Sequence, residues 1–410
     1  MSAKRILFFA EAVTLAHVAR PIALAKGLDP ARHEAIIACD PRYQRFLERA
    51  PWQTLPLHSI SSQQFLGALA NGSPVYDAAT LRGYVREDLK LIEQIQPDLI
   101  VGDFRLSLSV SARLVGIPYI AISNAYWSPY YAARGFPLPV LPMTKILPLP
   151  IAEKIFRLVQ PLAFALHCRP LNRVRAENGL PALGTDLRRV YTDADYTLYA
   201  DIPELFPAEN LPASHHYLGP VLWSPPVVKP PWWDDLPTDK PIVYLTLGSS
   251  GQARLLPTAL EALADLPVAV IAASAGAAVP ANLPANAWVA DYLPGLEAAA
   301  RAELVICNGG SPTSQQALAA GVPVLGIASN MDQFLNMGAL VRAGAGLLLR
   351  ADRVNAKKIR AAASRLLSDS GFSGHAAKLA NAFARYLAPE RFADVVGLAV
   401  AGNTAKGKRK

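Results

Sequence analysis

Short apolar runs of strand length recur along the chain, at residues 5–10, 35–39, 98–102, 118–122 and 196–199, and again at 242–247, 268–272, 304–307 and 322–327. Between them lie stretches of helical character, beginning with the one that opens at His17 and continues as PIALAKGL. Apolar strands alternating with helices predict open α/β sheets, and in such sheets ligands bind outside the carboxyl ends of the strands. Helices dominate late in the chain, at 354–367, 374–386 and from Pro389 to about Ala401. Residues 219–241, GPVLWSPPVVKPPWWDDLPTDKP, interrupt the alternation. Proline fixes φ and lacks a donor, so this stretch reads as a stiff connector between domains. Earlier, Ile151, Ile155, Leu158, Leu162 and Leu166 fall at helical spacing with Lys154 and Arg157 off the stripe, and Pro161 is expected to kink or divide that helix.

The strand at 304–307 stops at Asn308-Gly309-Gly310, where backbone can approach a ligand without an intervening Cβ. Ser311 suits an N-cap and Pro312 the first helical position, so the amides of Thr313 and Ser314 point out of a helix N-terminus toward a site fit for a diphosphate. Gly321 ends the helix, and residues 329–333 place polar groups past the next strand. A second glycine turn, Gly248-Ser249-Ser250-Gly251, comes after the strand at 242–247. The first strand is different, because no G-x-G-x-x-G comes after it and a dinucleotide site is not expected there. His17 stands past its end, and a later strand ends in Asp103. In one sheet the two would meet at one edge, the carboxylate fixing the imidazole tautomer of a general base. Glu11 is the alternative base.

Asn308-Gly309-Gly310-Ser311-Pro312-Thr313, Gln316-Ala317-Leu318, Gly321-Val322-Pro323 and Asp332-Gln333 together resemble the donor-binding signature of family 1 (UDP-glycosyltransferase-like) enzymes. The resemblance implies an α/β chain of the GT-B fold, two Rossmann-like doubly wound domains facing across a cleft, and sugar transfer with inversion and without a metal. The family usually has His at 308, Gly at 312 and a ribose-binding Glu at 316, where this chain has Asn308, Pro312 and Gln316. By the same resemblance Gly248, Ser249 and Ser250 form a second donor loop, Tyr292 stacks on the base, and Gly295 stands where the family places a base-contacting Gln. Asp332 and Gln333 would hold sugar hydroxyls. His17-Val18, Arg20-Pro21 and Ala23-Leu24-Ala25 look like the family's catalytic histidine segment, with Asp103 as the partner.

Composition narrows the alternatives. A chain of 410 residues, 52% hydrophobic and 18% charged, suits two domains of about 200 residues with full cores. Cys39, Cys168 and Cys307 are scattered, which argues against a disulfide framework or zinc cluster and fits a reducing cytoplasm. No charge-free apolar run approaches the ~20 residues that span a bilayer, and no signal-peptide core is expected. The net charge of +8 is local: residues 134–175 hold seven basic side chains against Glu153 alone, and Lys406, Lys408, Arg409 and Lys410 crowd the end. No nucleic-acid-binding module accompanies that charge. Asp193-Ala194-Asp195 superficially matches a D-x-D metal motif but lacks further ligands, and His215 and His216 would face opposite ways on a strand. Ser123, Asn124, Tyr126, Trp127, Tyr130 and Tyr131 lie past a strand end, as core and rim or as an acceptor pocket built on Asn124, Tyr126, Trp127 and Tyr130. Residues 135–170 are either an insertion packed on the N-terminal domain or a mobile acceptor lid able to rest on an anionic membrane.

The expected organisation is an acceptor domain at 1–220, a connector at 221–240, a nucleotide-sugar domain at 241–387, a returning helix at 388–402 and a disordered basic tail at 403–410. The expected activity is inverting transfer of a hexosyl group from a UDP- or dTDP-sugar to a hydroxyl of a hydrophobic small molecule or lipid. The nucleotide sugar serves as co-substrate, with no cofactor and no metal. The alternative is a GT-B sugar-nucleotide epimerase or a silent nucleotide-sugar-binding subunit. A cytoplasmic protein, peripheral at most to the inner face of the membrane, fits either.

Overall fold

The computed structural model describes residues 3–47, 51–133, 135–248, 252–276, 278–279 and 282–407. The chain divides into two compact units. The first takes in the chain up to 134, Glu153–Val221 and everything from Tyr386 on; the second comprises Gly135–Ala152 and Leu222–Arg385.

Seven parallel strands form the first unit's sheet: β1 (Lys4–Ala10), β2 (His33–Cys39), β3 (Gln53–Pro56), β4 (Leu99–Asp103), β5 (Tyr119–Ser123), β6 (Tyr196–Tyr199) and β7 (His215–Tyr217). Their spatial order is β3-β2-β1-β4-β5-β6-β7, so strand order reverses between β1 and β4. Ala10 there lies opposite Asp103. The central strands are buried throughout, as expected when helices cover both faces of a parallel sheet. Leu7, Phe9, Ile36 and Ile100 pack with Leu91, Ile92 and Leu108 of the covering helices. The last helix, Ala388–Gly407, belongs to this unit, and Phe392 packs on Phe8 with ring centroids 5.8 Å apart. The basic tail expected to be disordered from 403 is thus helical as far as Gly407.

The second unit repeats the plan with six parallel strands: β8 (Ile242–Thr246), β9 (Ala269–Ala273), β10 (Ala287–Ala290), β11 (Leu304–Cys307), β12 (Val324–Ala328) and β13 (Gly346–Arg350). The order β10-β9-β8-β11-β12-β13 reverses between β8 and β11, where Thr246 lies opposite Cys307. The core joins Val243, Leu245, Ile306 and Ile327 to Leu260, Leu263, Ile359 and Leu366 of two helices.

Two expectations need correction. Residues 135–152 pack on the second unit, not the first. Val140 donates its backbone N–H to Ser329 O (2.8 Å), the Arg350 guanidinium donates to Leu138 O (2.7 Å), and Thr144 Oγ1 donates to Asp352 Oδ2 (2.6 Å). A proline-rich segment offers carbonyls but few N–H groups, so arginines are apt partners. The next helix, Leu149–Glu177, runs unbroken through Pro161 and Pro170. Its buried face carries Ala152, Phe156, Phe164, Cys168, Leu171 and Val174, while the stripe singled out by periodicity, Ile151 to Leu166, is exposed.

Candidate active site

In the first unit, His17 sits in the first turn of helix Ala16–Ala25, just beyond the end of β1, and Asp103 is the last residue of β4. Adjacent strands at the reversal therefore bring together residues 86 positions apart: His17 Nδ1 lies 2.7 Å from Asp103 Oδ1. Arg20, one turn along the same helix, grips that carboxylate with two prongs, Nε to Oδ2 at 2.7 Å and Nη2 to Oδ1 at 2.8 Å. A carboxylate only accepts, so the short contact assigns the His17 proton to Nδ1 and leaves the lone pair on Nε2, the tautomer of a base. Arg20 continues outward: Nη1 donates to Asn124 Oδ1 (2.9 Å), and Asn124 Nδ2 and the Ala125 N–H donate to Asp201 Oδ2 (3.1 and 2.6 Å). Burial works against the Arg20 charge, but the Asp103 carboxylate outweighs it and holds the guanidinium pKa above its ordinary value.

The His17 ring stacks on Phe104 at 4.8 Å. Phe104 has φ +60°, a left-handed conformation that a bulky residue adopts at a cost of about 1–2 kcal/mol. The turn presents its ring to His17, Phe65, Tyr76 and Tyr191 together. Tyr76 and Tyr191 also line a small recess with Val75, Leu81, Leu106, His167, Pro170, Leu171, Leu187 and Val190. This largely apolar recess stands one ring removed from the imidazole and was not anticipated, because its residues come from segments spread over more than a hundred positions.

The anticipated acceptor residues divide. Tyr126 is core, 1% exposed and packed on Phe206. Asn124 is buried in the Arg20–Asp201 chain. Trp127 and Tyr130 are half-buried, Trp127 with its ring edge-on to Tyr191 and Tyr130 edge-on to His215. Glu11, the alternative base, is removed by its surroundings: it is fully buried, salt-bridged to Arg105 at 2.9 Å and accepting from Tyr84 OH. Arg105 also pairs with Asp88 and Glu87. Burial pushes the pKa of Glu11 and of Asp88 up against the pull of Arg105. Asp193 and Asp195 are occupied by Arg175 and Arg113 at 3.0 Å, and no cluster fit for a metal ion occurs among the described residues.

In the second unit the reversal is built from backbone. Gly248, with φ +62°, and Gly309, with φ +81°, turn the loops after β8 and β11. A Cβ on Gly248 would stand 3.3 Å from Asn308 Nδ2, so the two loops touch. Ser249 and Ser250 lie outside the described residues. Asn308 Oδ1 accepts the Gly310 N–H (2.9 Å), closing the turn one residue earlier than expected. Gly310 becomes the N-cap, Ser311 starts helix Ser311–Ala319, and Pro312 and Thr313 complete its first turn. Ser311 is buried and Thr313 half-buried. Asn336, which sequence reasoning passed over, is buried behind this turn and donates to Gly309 O and Ser314 Oγ, both at 2.8 Å. Gly321, φ +74°, ends the helix, with Val322 N–H on Ala317 O and Gly321 N–H on Leu318 O.

Two departures from the family pattern prove to be neighbours. A Cβ on Gly295 would stand 2.8 Å from Gln316 Oε1, and Gln316 Nε2 donates to Trp223 O at 2.6 Å. The missing side chain at 295 makes room for the amide at 316. Tyr292, just past β10, is half-buried. Asp332 lies half-buried in the first turn of helix Met331–Arg342, whereas Gln333 is buried in a capping box with Asn330, its Oε1 accepting from Ser329 N (2.8 Å). That oxygen is already engaged.

Residues 257–397 match the family model of the erythromycin biosynthesis protein CIII-like C-terminal domain. Among curated proteins, the chain is 58% identical over 380 residues to the PGL/p-HBAD biosynthesis glycosyltransferase of Mycobacterium tuberculosis (strain H37Ra), covering 93% of this chain and 89% of that one. It is 57% identical over 382 residues to the PGL/p-HBAD biosynthesis rhamnosyltransferase of Mycobacterium bovis (strain BCG / Pasteur 1173P2), covering 93% and 85%. Among solved structures, the spinosyn rhamnosyltransferase SpnG complexed with thymidine diphosphate superposes with a TM-score of 0.69 at 20% identity, over 96% of this chain and all of the other, which shows the shared fold. On the strength of the two full-length relatives, the chain belongs to the family 1 glycosyltransferases, is itself a glycosyltransferase, and carries the GT-B fold.

Proposed function

We propose that the protein transfers a hexosyl group, by a single inverting displacement, from a nucleoside-diphosphate sugar to a hydroxyl of a hydrophobic, lipid-like acceptor. His17 Nε2 takes the hydroxyl proton as the acceptor oxygen bonds to the anomeric carbon, and the bond from that carbon to the diphosphate oxygen breaks with its electron pair on the leaving nucleotide. The observation that carries this reading is the 2.7 Å contact of His17 Nδ1 with an Asp103 already fixed by Arg20. Leaving-group charge falls to the N-terminus of helix Ser311–Ala319 and the glycine turns, where the helix dipole contributes about 0.3–2 kcal/mol for an anion. Asp332 is the better candidate for a sugar hydroxyl, since Gln333 Oε1 is engaged in the capping box.

A deoxyhexose donor is favoured by the relative named a rhamnosyltransferase, and a thymidine nucleotide by the one SpnG holds; a uridine donor is the competitor. No cofactor is required, since the nucleotide sugar supplies the activated carbon. Three buried, free cysteines fit a reducing cytoplasm.

His17→Ala tests the reading. The variant is expected to retain a thermal shift with dTDP or UDP while losing transfer by roughly 10²–10⁴-fold. Full transfer in that variant rejects His17 as the base. Wild-type protein that binds the nucleotide sugar yet neither transfers nor hydrolyses it, with no change in His17→Ala, favours a silent binding subunit instead.

A further inference from the structure

Helix Leu149–Glu177 has two apolar faces, and only one of them is used. From Glu153 on, within the first unit, Phe156, Phe164, Cys168, Leu171 and Val174 pack inward. Ile155, Leu158, Val159, Leu162 and Leu166 recur at three- and four-residue steps on the opposite side and stay in solvent, Leu158 at 82% and Leu162 at 65% exposure. A surface helix ordinarily carries charge there. Here the charge beside the stripe is basic, and the one nearby acid, Glu153, stands on the side of the inward-facing residues. Lys154 borders the stripe, Arg169 continues it one turn beyond Leu166, and no acidic residue occurs between Lys154 and Arg173.

We propose that this face docks the protein onto an anionic lipid surface, the aliphatic side chains entering the acyl boundary while Lys154 and Arg169 meet the headgroups. Long basic side chains can lie along an apolar boundary and keep their charge in water. No helix among the described residues is long and apolar enough to cross a membrane, so this one lies on the surface. A second copy is disfavoured because a two-fold contact would press one basic rim against its twin. A protein partner is disfavoured because the exposed stripe is purely aliphatic, without the aromatic anchors that dominate protein interfaces.

The full-length protein should be floated with vesicles of phosphatidylcholine alone and of phosphatidylcholine mixed with phosphatidylglycerol, without donor or acceptor, so that the result is independent of the sugar-transfer reading. The expected result is recruitment to the phosphatidylglycerol vesicles, weakening as salt rises. Leu158→Ser with Leu162→Ser should weaken binding by more than about tenfold, from the lost apolar burial. Its melting temperature and its thermal shift with dTDP should stay at wild-type values. Lys154→Gln with Arg169→Gln should weaken binding by about tenfold or more and only on anionic vesicles. Absence of recruitment, equal recruitment to both vesicle types, or unimpaired binding by the double-serine variant overturns the proposal. So does a wild-type dimer in sedimentation velocity that dissociates in the double-serine variant, since the face would then be a protein interface.

Discussion

Both sheets reverse strand order beside their opening strand, and both bring two loops together at that point, but the two places are filled with opposite materials. In the first unit the reversal holds side chains: His17, Asp103, Arg20, Asn124 and Asp201 in one hydrogen-bonded chain, with even the left-handed residue being a phenylalanine. In the second it holds backbone, where the left-handed residues are Gly248 and Gly309 and the polar partners are the amides of Asn308 and Asn336. A base works only if one ring nitrogen is held in one tautomer, which takes buried partners of fixed charge. A diphosphate can be held by backbone N–H groups at a helix N-terminus, which glycine turns allow it to approach closely. Under the proposed function, the same topology would serve proton transfer in one unit and anion binding in the other.

The comparison breaks most visibly at Arg20. Arg20→Met leaves the Asp103 carboxylate buried with His17 as its main partner, and loss of one member of a buried pair costs about 3–5 kcal/mol. A melting curve close to that of wild type would show that the charge chain contributes little. Arg20→Lys keeps the charge but not the fork, so it should recover part of the stability. Next in size is Gly309→Ala. The new Cβ would lie 2.6 Å from Met337 Cγ at φ +81°, adding about 1–3 kcal/mol of overpacking to about 1–2 kcal/mol of left-handed strain. The thermal shift with dTDP should vanish. Adding Met337→Ala should relieve the overlap and not the strain, so a complete rescue would mean that the glycine is there for space alone. Asn336→Ala should cost less, about 1–2 kcal/mol, by releasing Gly309 O and Ser314 Oγ. Its effect should appear in nucleotide affinity and leave the first unit unchanged.

The nine inner strands and the glycine turn after β11 were legible in the sequence because their signals are local, a short apolar run and the residue that stops it. The edge strands β3, β7, β10 and β13, half-buried or exposed for most of their length, were not among those runs. The N-cap fell one residue early because the Asn308 side chain closes the turn on Gly310, a contact that spacing does not reveal. Gln333 reads as a ligand residue by its position, yet its oxygen completes a capping box with Asn330, the competing local use of the same motif. The stripe Ile151 to Leu166 shows why periodicity alone misleads: it identifies a face and not the side of the helix on which the core lies. Arg20 stands one turn after His17, but its partners Asp103 and Asn124 are 83 and 104 residues away. No local pattern joins them. Glu11 looked available as a base for the same reason, since Arg105 and Tyr84, which occupy it, are distant in the chain.

The smallest predicted effect separates the units by pH. Six of the seven histidines, His17, His33, His58, His167, His215 and His216, belong to the first unit, and only His375 to the second. Burial lowers the pKa of His215 to about 4, with its Nδ1 2.7 Å from Tyr199 OH, and lowers that of His216 and His33 as well. A histidine whose folded pKa lies below its unfolded value of about 6.5 binds fewer protons when folded. The stability it contributes is therefore complete above about pH 6.5 and is lost as pH falls toward 4. Glu11 and Asp88 act in the opposite sense, because their raised values favour proton uptake by the folded form, so the net slope of the wild type understates the histidine contribution. A difference measurement removes them. His215→Asn keeps a polar side chain and cannot titrate, so its melting temperature should fall less steeply than that of wild type between about pH 6.5 and 4. Hydrogen exchange should place the difference in β6, β7 and the segment around Tyr130 that packs against His215, and not in the six-stranded sheet. Parallel melting curves for the two proteins would mean that His215 takes up its proton without loosening the fold.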